Sequence, residues 1–141
     1  MKFSVRASIE AKAEDVWALL TDASGYPTWN STVIGIDGVI EKGSTIALTA
    51  KVQPNRAFQL TVEELDEDGE SARMVWSDGM PLGLFRGARS LEVRPTATGC
   101  EFAMEEAFTG LLAPLITRMI PDLQPSFDQW AADLKATAEA D

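Results

Sequence analysis

The hydrophobic pattern of the sequence changes its period once, near Gly110, and this change constrains the fold more than any other feature. Upstream, apolar and polar residues alternate in short runs, notably Phe3–Ile9 and Thr45–Val52. A period of two is typical of strands with one buried face. Downstream, apolar side chains recur at helical spacing at Leu123, Phe127, Trp130, Ala131 and Leu134. A run of strands followed by a long amphipathic helix predicts an α+β fold in which the helix packs on the sheet.

Turn-forming residues divide the first part of the chain into several strands and a short helical region. Val16, Leu19 and Leu20 recur at i, i+3 and i+4, which predicts a helix from about residue 13 to about residue 21. Beyond the two runs above, the pattern predicts strands at Val33–Val39, Phe58–Val62, Met74–Trp76, Phe85–Arg94 and Cys100–Phe108.

Breaks in the pattern predict turns and helix ends. Asp66–Gly69 ends in Asp-Gly, which favours a hairpin turn because glycine adopts positive φ readily. We interpret Asp78–Gly83 as an apolar loop. Pro121 and Pro125 are predicted to kink or split the helical segment after Gly110, because proline removes a backbone donor.

The length and charge of the chain limit its class and its partners. Its 141 residues suit one domain, which we expect to span residues 1–141. The formal net charge of −10 argues against nucleic acid, whose binding depends on cations that replace phosphate counterions. The sequence shows no signal-peptide core and no run of the ~20 apolar residues that a membrane span needs. We therefore expect a cytoplasmic protein without a membrane span.

The absence of histidine excludes the commonest catalytic sets. With no His and only Cys100, Ser-His-Asp and Cys-His sites and an intrachain disulfide are impossible. The acidic run Glu63–Glu70 lacks the ligand spacing of an EF-hand loop and is interpreted as a solvated hairpin tip. The glycine patterns of nucleotide-binding loops are missing too. The sequence therefore predicts no cofactor and no metal.

Several motifs, in order along nearly the whole chain, resemble those of one superfamily. They are Ile9–Ala11 followed by Val16-Trp17 and Leu20–Asp22, the YPTWN turn Tyr26–Asn30, and the strand segments Gly87–Leu91 and Phe102–Gly110. Together they resemble the START-like superfamily, also called SRPBCC, and within it the small polyketide cyclase/dehydrase-like proteins. Many of these relatives carry a histidine near the position of Met104, so an acid–base role of that histidine is absent here.

The resemblance implies a helix-grip fold. In this fold a curved antiparallel sheet, here of about six or seven strands, surrounds a long C-terminal helix, and two short helices follow the first strand. A cavity lies between sheet and helix. Members bind apolar or amphipathic small molecules and only some are enzymes, so the fold does not fix the function.

Side-chain alternation places two charged residues on the apolar side of adjacent strands. Arg89 shares the parity of Leu91 and Val93, and Glu106 shares the parity of Met104. An unpaired charge on that side would be costly, so we expect Arg89 and Glu106 to pair. The pair has two interpretations: a polar anchor for a ligand, or a structural ion pair that closes the cavity.

The candidate walls of the cavity are apolar residues on the strands and in the segment before the last helix. They are Phe58, Met74, Trp76, Phe85, Met104, Phe108, Leu115 and Met119. The alternative for these residues is that they belong to the core. Trp17 and Trp29 are interpreted as packing or rim residues. The apolar loop Gly79–Leu84 is either a mouth or lid over the cavity or a loop folded onto the core.

Three functions are compatible with these residues. The first is binding of one small hydrophobic or amphipathic ligand for carriage, storage or sensing. The second is a cyclase, dehydratase or isomerase acting on a polyketide-like or aromatic substrate, with Glu106 as acid or base and Arg89 as electrostatic stabiliser. It ranks lower because a carboxylate paired with arginine is a poor base. The third is a partner-binding module with an exposed apolar patch. The oligomeric state stays open.

Overall fold

Seven antiparallel strands form one curled sheet in the computed structural model, which describes residues 1–68 and 71–140. The strands are β1 (Lys2–Ile9), β2 (Val33–Asp37), β3 (Thr45–Ala50), β4 (Phe58–Asp68), β5 (Ser71–Met80), β6 (Phe85–Thr96) and β7 (Gly99–Thr109). Their order across the sheet is β1-β7-β6-β5-β4-β3-β2. The α+β class and the curved sheet of six or seven strands are confirmed.

Two short helices follow β1, and two more follow β7. They are α1 (Ala13–Thr21), α2 (Tyr26–Trp29), α3 (Ala113–Ile116) and α4 (Gln124–Glu139). The long helix α4 packs against the concave face of the sheet, which is the helix-grip arrangement. The predicted split falls at Pro121, between α3 and α4. Pro125 instead lies in the first turn of α4, where a missing backbone N–H costs nothing, so it does not kink the helix.

Helix α4 covers the free edge of β1. Gln124 Nε2 donates to the Ser4 carbonyl at 2.8 Å, and Lys135 Nζ donates to the Ser8 carbonyl at 2.7 Å. The Glu10 N–H donates to Glu139 Oε2 at 2.9 Å. These side chains occupy backbone groups that an edge strand would otherwise offer to another chain.

The core lies between α4 and the sheet. Phe127, Trp130 and Leu134 of α4 are each at most 2 % exposed. Trp130 packs against Tyr26 and Trp76, with ring centroids 5.5 and 6.3 Å away. Tyr26 is fully buried and donates to the Leu20 carbonyl at 2.6 Å. The helical region after β1 therefore packs against α4 and the sheet through buried aromatic side chains.

A β-bulge in β4 changes which face of the sheet its later side chains point to. The pairing with β5 shifts between Val62 and Glu64, so Val62 faces Trp76 whereas Leu65 faces Met74. One extra residue reverses the alternation, and Leu65 packs on the core although it is three residues beyond the buried Val62.

Three predicted boundaries are corrected by backbone pairing. Strand β5 continues to Met80, which pairs with Phe85, so the connecting loop is only 81–84 and Asp78 lies in a strand. Strand β4 continues to Asp68, so the turn predicted over Asp66–Gly69 begins too early, and Gly69 lies outside the described residues. Glu63 and Glu64 lie within β4 and not at a hairpin tip.

Candidate functional site

A cleft of about 280 Å³ lies between the open end of the sheet and the segment that joins α3 to α4. Most of its walls are apolar, with polar groups confined to four side chains. The apolar members are Leu48, Ala50, Val52, Phe58, Leu60, Phe85, Phe108, Ile116, Met119, Ile120, Pro121 and Leu123, and the polar members are Gln53, Arg56, Arg89 and Glu106. A concave apolar site with a few polar groups is the usual form of a small-molecule site, and this volume is near the lower limit of the range.

The wall after β7 is held in place by the hairpin loop between β5 and β6. The N–H groups of Leu111 and Leu112 donate to the carbonyls of Gly83 and Leu84 at 3.2 and 2.7 Å. Gly110 turns the chain with φ +111°, and a Cβ at this residue would lie 2.7 Å from the Leu84 carbonyl oxygen. Only glycine fits such a backbone approach, so Gly110 fixes where α3 begins.

Arg89 and Glu106 form the predicted pair at the inner end of the cleft. They are direct partners in the β6–β7 register, and Arg89 Nη2 lies 3.3 Å from Glu106 Oε2. Their side chains are only 13 % and 14 % exposed. The Arg89 guanidinium also lies over the rings of Phe127 and Trp130, at 4.9 and 5.4 Å from their centroids. Cation–π contacts of this kind hold the guanidinium in one orientation.

The pair leaves part of the hydrogen-bonding capacity of Arg89 unused. Its Nε–H is buried and has no acceptor within the described part of the chain, and the same holds for the indole N–H groups of Trp76 and Trp130. A guanidinium carries five N–H donors. Arg89, at the inner end of the cleft, and two tryptophans in the core beside it therefore carry buried donors without acceptors in the described residues.

Arg56 is a second cation in the cleft wall. It is exposed, and its guanidinium lies 4.9 Å from the centroid of the Phe58 ring. None of the ion pairs in residues 1–68 and 71–140 includes Arg56. It is therefore available to a group that enters the cleft.

Asp78 lies beside the cleft on the inner face of the sheet. It pairs with Gly87, and a Cβ at Gly87 would lie 2.9 Å from Asp78 Oδ1 and 3.2 Å from the Phe108 ring. Burial, and then the negative charge of Glu106, raise the pKa of Asp78, whereas Arg56 and Arg89 oppose the rise. Asp78 lies two residues after Trp76, so strand alternation alone puts both side chains on the same face of the sheet. This placement was missed because the sequence predicted a loop from Asp78 onward.

The structure brings together some of the predicted wall residues and separates others. Phe58, Phe85, Arg89, Glu106, Phe108 and Met119 line the cleft. Met74, Trp76 and Met104 are at most 1 % exposed and belong to the core behind the cleft. Leu115 is 61 % exposed and does not line it.

The residues that the sequence analysis missed come from three regions, the first being β3 and β4 with Leu48, Ala50 and Leu60. Gln53 and Arg56 follow β3 in a stretch without periodicity, and Ile116, Ile120 and Leu123 precede α4. The apolar character of 111–120 was visible in the sequence, but not which of its side chains turn inward.

The hairpin loop does not fold onto the core. Leu82 at its tip is 92 % exposed and Met80 is 47 % exposed. Leu111, Leu115 and Met119 are also largely exposed. Met119 both lines the cleft and belongs to this exposed set, so apolar surface continues outside the cleft.

A larger depression of about 530 Å³ lies beside α1, away from Arg89 and Glu106. Its lining includes Lys12, Glu14, Trp17, Thr21 and Glu67. Trp17 Nε1 donates to Glu67 Oε1 at 2.6 Å across it. This hydrogen bond gives the Trp17 indole N–H an acceptor, and Arg89 and Glu106 are not in the lining of this depression.

The residues that could support metal binding or thiol chemistry are the Cys, Asp and Glu side chains of the described ranges. The described residues contain no group of three or more Cys, Asp and Glu side chains placed to hold a metal ion. Cys100 is buried, and burial raises the pKa of its thiol, which disfavours the reactive thiolate. No helix in the described ranges combines the length and the apolar character needed to cross a bilayer.

The sequence of the chain matches a family model described as "Polyketide cyclase / dehydrase and lipid transport" over residues 1–139. The chain belongs to this family. The START-like resemblance of the sequence is thereby confirmed. A comparison with curated proteins finds no match.

Three solved structures share the fold of this family member at low sequence identity. A hypothetical protein of Helicobacter pylori has a TM-score of 0.78 at 14 % identity, with 99 % of this chain and 88 % of that chain covered. A START superfamily protein of Mycobacterium smegmatis has a TM-score of 0.68 at 16 % identity, with 98 % and 97 % covered. Norcoclaurine synthase of Thalictrum flavum, in complex with dopamine and hydroxybenzaldehyde, has a TM-score of 0.66 at 13 % identity, with 97 % and 85 % covered.

Proposed function

We propose that this START-like protein binds one small amphipathic molecule in the cleft between the sheet and the α3–α4 segment, as a carrier, store or sensor. The observation that carries the proposal is the cleft itself, with apolar walls and the buried Arg89–Glu106 pair at its inner end. An apolar tail would lie along Phe108, Ile120 and Leu123, and a polar head would meet the pair. The family description, which includes lipid transport, supports the same class of ligand.

A direct test is native mass spectrometry of the freshly purified protein, followed by solvent extraction of the bound molecule. Ala50→Phe would fill the cleft, because Ala50 lines it. The matched control is Ala136→Phe on the exposed face of α4. We expect an amphipathic mass on the unmodified protein and on the control, and its loss from Ala50→Phe. Equal retention by both variants would place the molecule outside the cleft and contradict the proposal.

A cyclase or dehydratase activity in the same cleft is the second candidate, and Asp78 favours it. A carboxyl with a raised pKa beside a buried arginine–glutamate pair has the properties of a general acid. Incubation of the extracted molecule with fresh protein separates the two candidates. Binding alone leaves its mass and its chromatographic retention unchanged, whereas a cyclase changes the retention at constant mass and a dehydratase removes one water. Asp78→Asn should abolish either change while binding persists.

A further inference from the structure

Arg89, at the inner end of the cleft, has more hydrogen-bond donors than its protein partner uses. Among the described residues, Arg89 has one carboxylate partner, Glu106, and reaches it through Nη2 at 3.3 Å, longer than the roughly 2.7–2.9 Å of strong charge-assisted bonds. Its buried Nε–H has no acceptor in the described part of the chain. Glu106 therefore uses only part of the donor capacity of the guanidinium, and the Nε–H is left without an acceptor in the described residues.

Two tryptophans next to Arg89 also bury an N–H group that has no acceptor in the described residues. Trp76 is the register partner of Arg89, and Trp130 packs on its guanidinium; each buries an indole N–H without an acceptor in residues 1–68 and 71–140. A small cavity of about 40 Å³ is lined by Arg89 and Trp130. It shares Leu48 with the main cleft, so the two spaces adjoin at this wall.

The charge of the cleft has the opposite sign to that of the chain. Arg56 and Arg89 line it together with a single acid, Glu106, in a chain with a formal net charge of −10. Asp78 lies beside Gly87 and is not among the lining residues. The lining residues alone carry a net positive charge, which favours an anion over a cation, and Asp78 beside the cleft offsets part of this charge where it is ionised.

We propose that the ligand of this cleft is an amphipathic carboxylate whose head binds between Arg89 and Arg56. This inference rests on the proposed function and names the chemical class of its ligand. A carboxylate matches the planar guanidinium fork and can accept several N–H groups at once. The volume of about 280 Å³ suits a single medium-length chain or an aromatic acid and excludes a two-chain lipid held entirely inside.

Calorimetric titration with decanoate, decanol and decylamine tests the head group at constant tail length. We expect decanoate to bind at least about tenfold more tightly than decanol, as expected for a charge-assisted hydrogen bond, and decylamine to bind most weakly. Naphthoate is titrated as well, because it carries the same carboxylate on an aromatic ring system. Tighter binding of naphthoate than of decanoate would indicate an aromatic acid as the source of the carboxylate, and the reverse order an aliphatic one.

Three arginine variants show where the preference for a carboxylate arises. Arg89→Met should remove the preference while decanol still binds. Arg94→Met removes the same charge from the same strand at an exposed residue outside the cleft and should leave the preference intact. If Arg89→Met fails to fold, Arg56→Gln at the exposed cleft wall should reduce the preference about threefold, a smaller loss because the site is solvated.

Two results would overturn the inference, and they differ in what they say about the cleft. If decanol binds as tightly as decanoate, the head-group inference fails while the proposed function stands. If none of the four probes binds to the folded protein, the cleft is not an amphiphile site and both proposals fail.

Discussion

The charged residues of the inner sheet face differ in how far their position follows from the sequence. Arg89 and Glu106 were predicted to pair because the parity of Leu91 and Met104 fixes their strands, and the structure pairs them directly. Asp78 was missed because glycine and proline on its C-terminal side suggested a loop. Backbone pairing with Gly87 overrides that local signal, and local composition does not show such pairing.

The outer face provides a pH-dependent test at the residue scale. Hydrogen bonds from Arg86 and Ser77 lower the pKa of Glu63 below its ordinary value of 4.5. A carboxyl whose pKa is lowered on folding stabilises the protein above pH 4.5, and this contribution disappears as the pH falls through the folded pKa. Because Glu63 and Arg86 are 35 % and 48 % exposed, the contribution is small, below about 1 kcal/mol.

We therefore expect Glu63→Gln to lower the Tm at pH 7, and this deficit to shrink as the pH falls below 4.5 through the folded pKa, measured by thermal melts over a series of pH values. Glu64→Gln is the control, because Glu64 makes only a 3.6 Å contact with the exposed Arg73. A Glu63→Gln deficit that is independent of pH would contradict the assigned hydrogen bonds.

At the scale of elements, the strands and helices follow from hydrophobic period, but their ends and irregularities do not. The period-two runs predicted the strands, and the spacing of Phe127, Trp130 and Leu134 predicted α4. The bulge after Val62 was not predicted, since Glu63 and Glu64 are both polar and either residue can be the extra one. Its position depends on the pairing of β4 with β5, which is a property of two elements.

The grip of α4 on the sheet is testable by truncating one side chain. Leu134 is fully buried, so Leu134→Ala should destabilise the protein by about 2–5 kcal/mol, measured by urea unfolding. Leu115→Ala makes the same change at a side chain that is 61 % exposed, and it should stay within about 0.5 kcal/mol. Equal effects of the two substitutions would show that α4 does not pack as described.

At the scale of the whole molecule, the cleft is the feature that the sequence predicts least. Its walls come from β3, β4, β6, β7 and the α3–α4 segment, so its shape depends on how distant elements meet. The alternation of each strand identifies which side chains face inward. It does not distinguish Met74 and Met104, which are buried in the core, from Phe58 and Phe108, which line the cleft.

The depression beside α1 and the cleft beside Arg89 differ as candidate binding sites. The depression beside α1 is larger, but its lining lacks the buried ion pair and includes the satisfied Trp17–Glu67 hydrogen bond. The cleft beside Arg89 is smaller and retains unused donors. Size alone favours the first cavity, and chemistry favours the second.

The most direct test of the cleft as the binding site uses the indole N–H signals of the tryptophans in a proton–nitrogen NMR titration with decanol. Decanol is uncharged, so the result does not depend on the nature of the head group. Trp130 adjoins Arg89, whereas Trp17 lines the depression beside α1. With signals assigned by Trp→Phe variants, we expect the Trp130 signal to move and the Trp17 signal to stay. Movement of Trp17 with an unchanged Trp130 would place the ligand beside α1 and contradict the assignment of the cleft as the binding site.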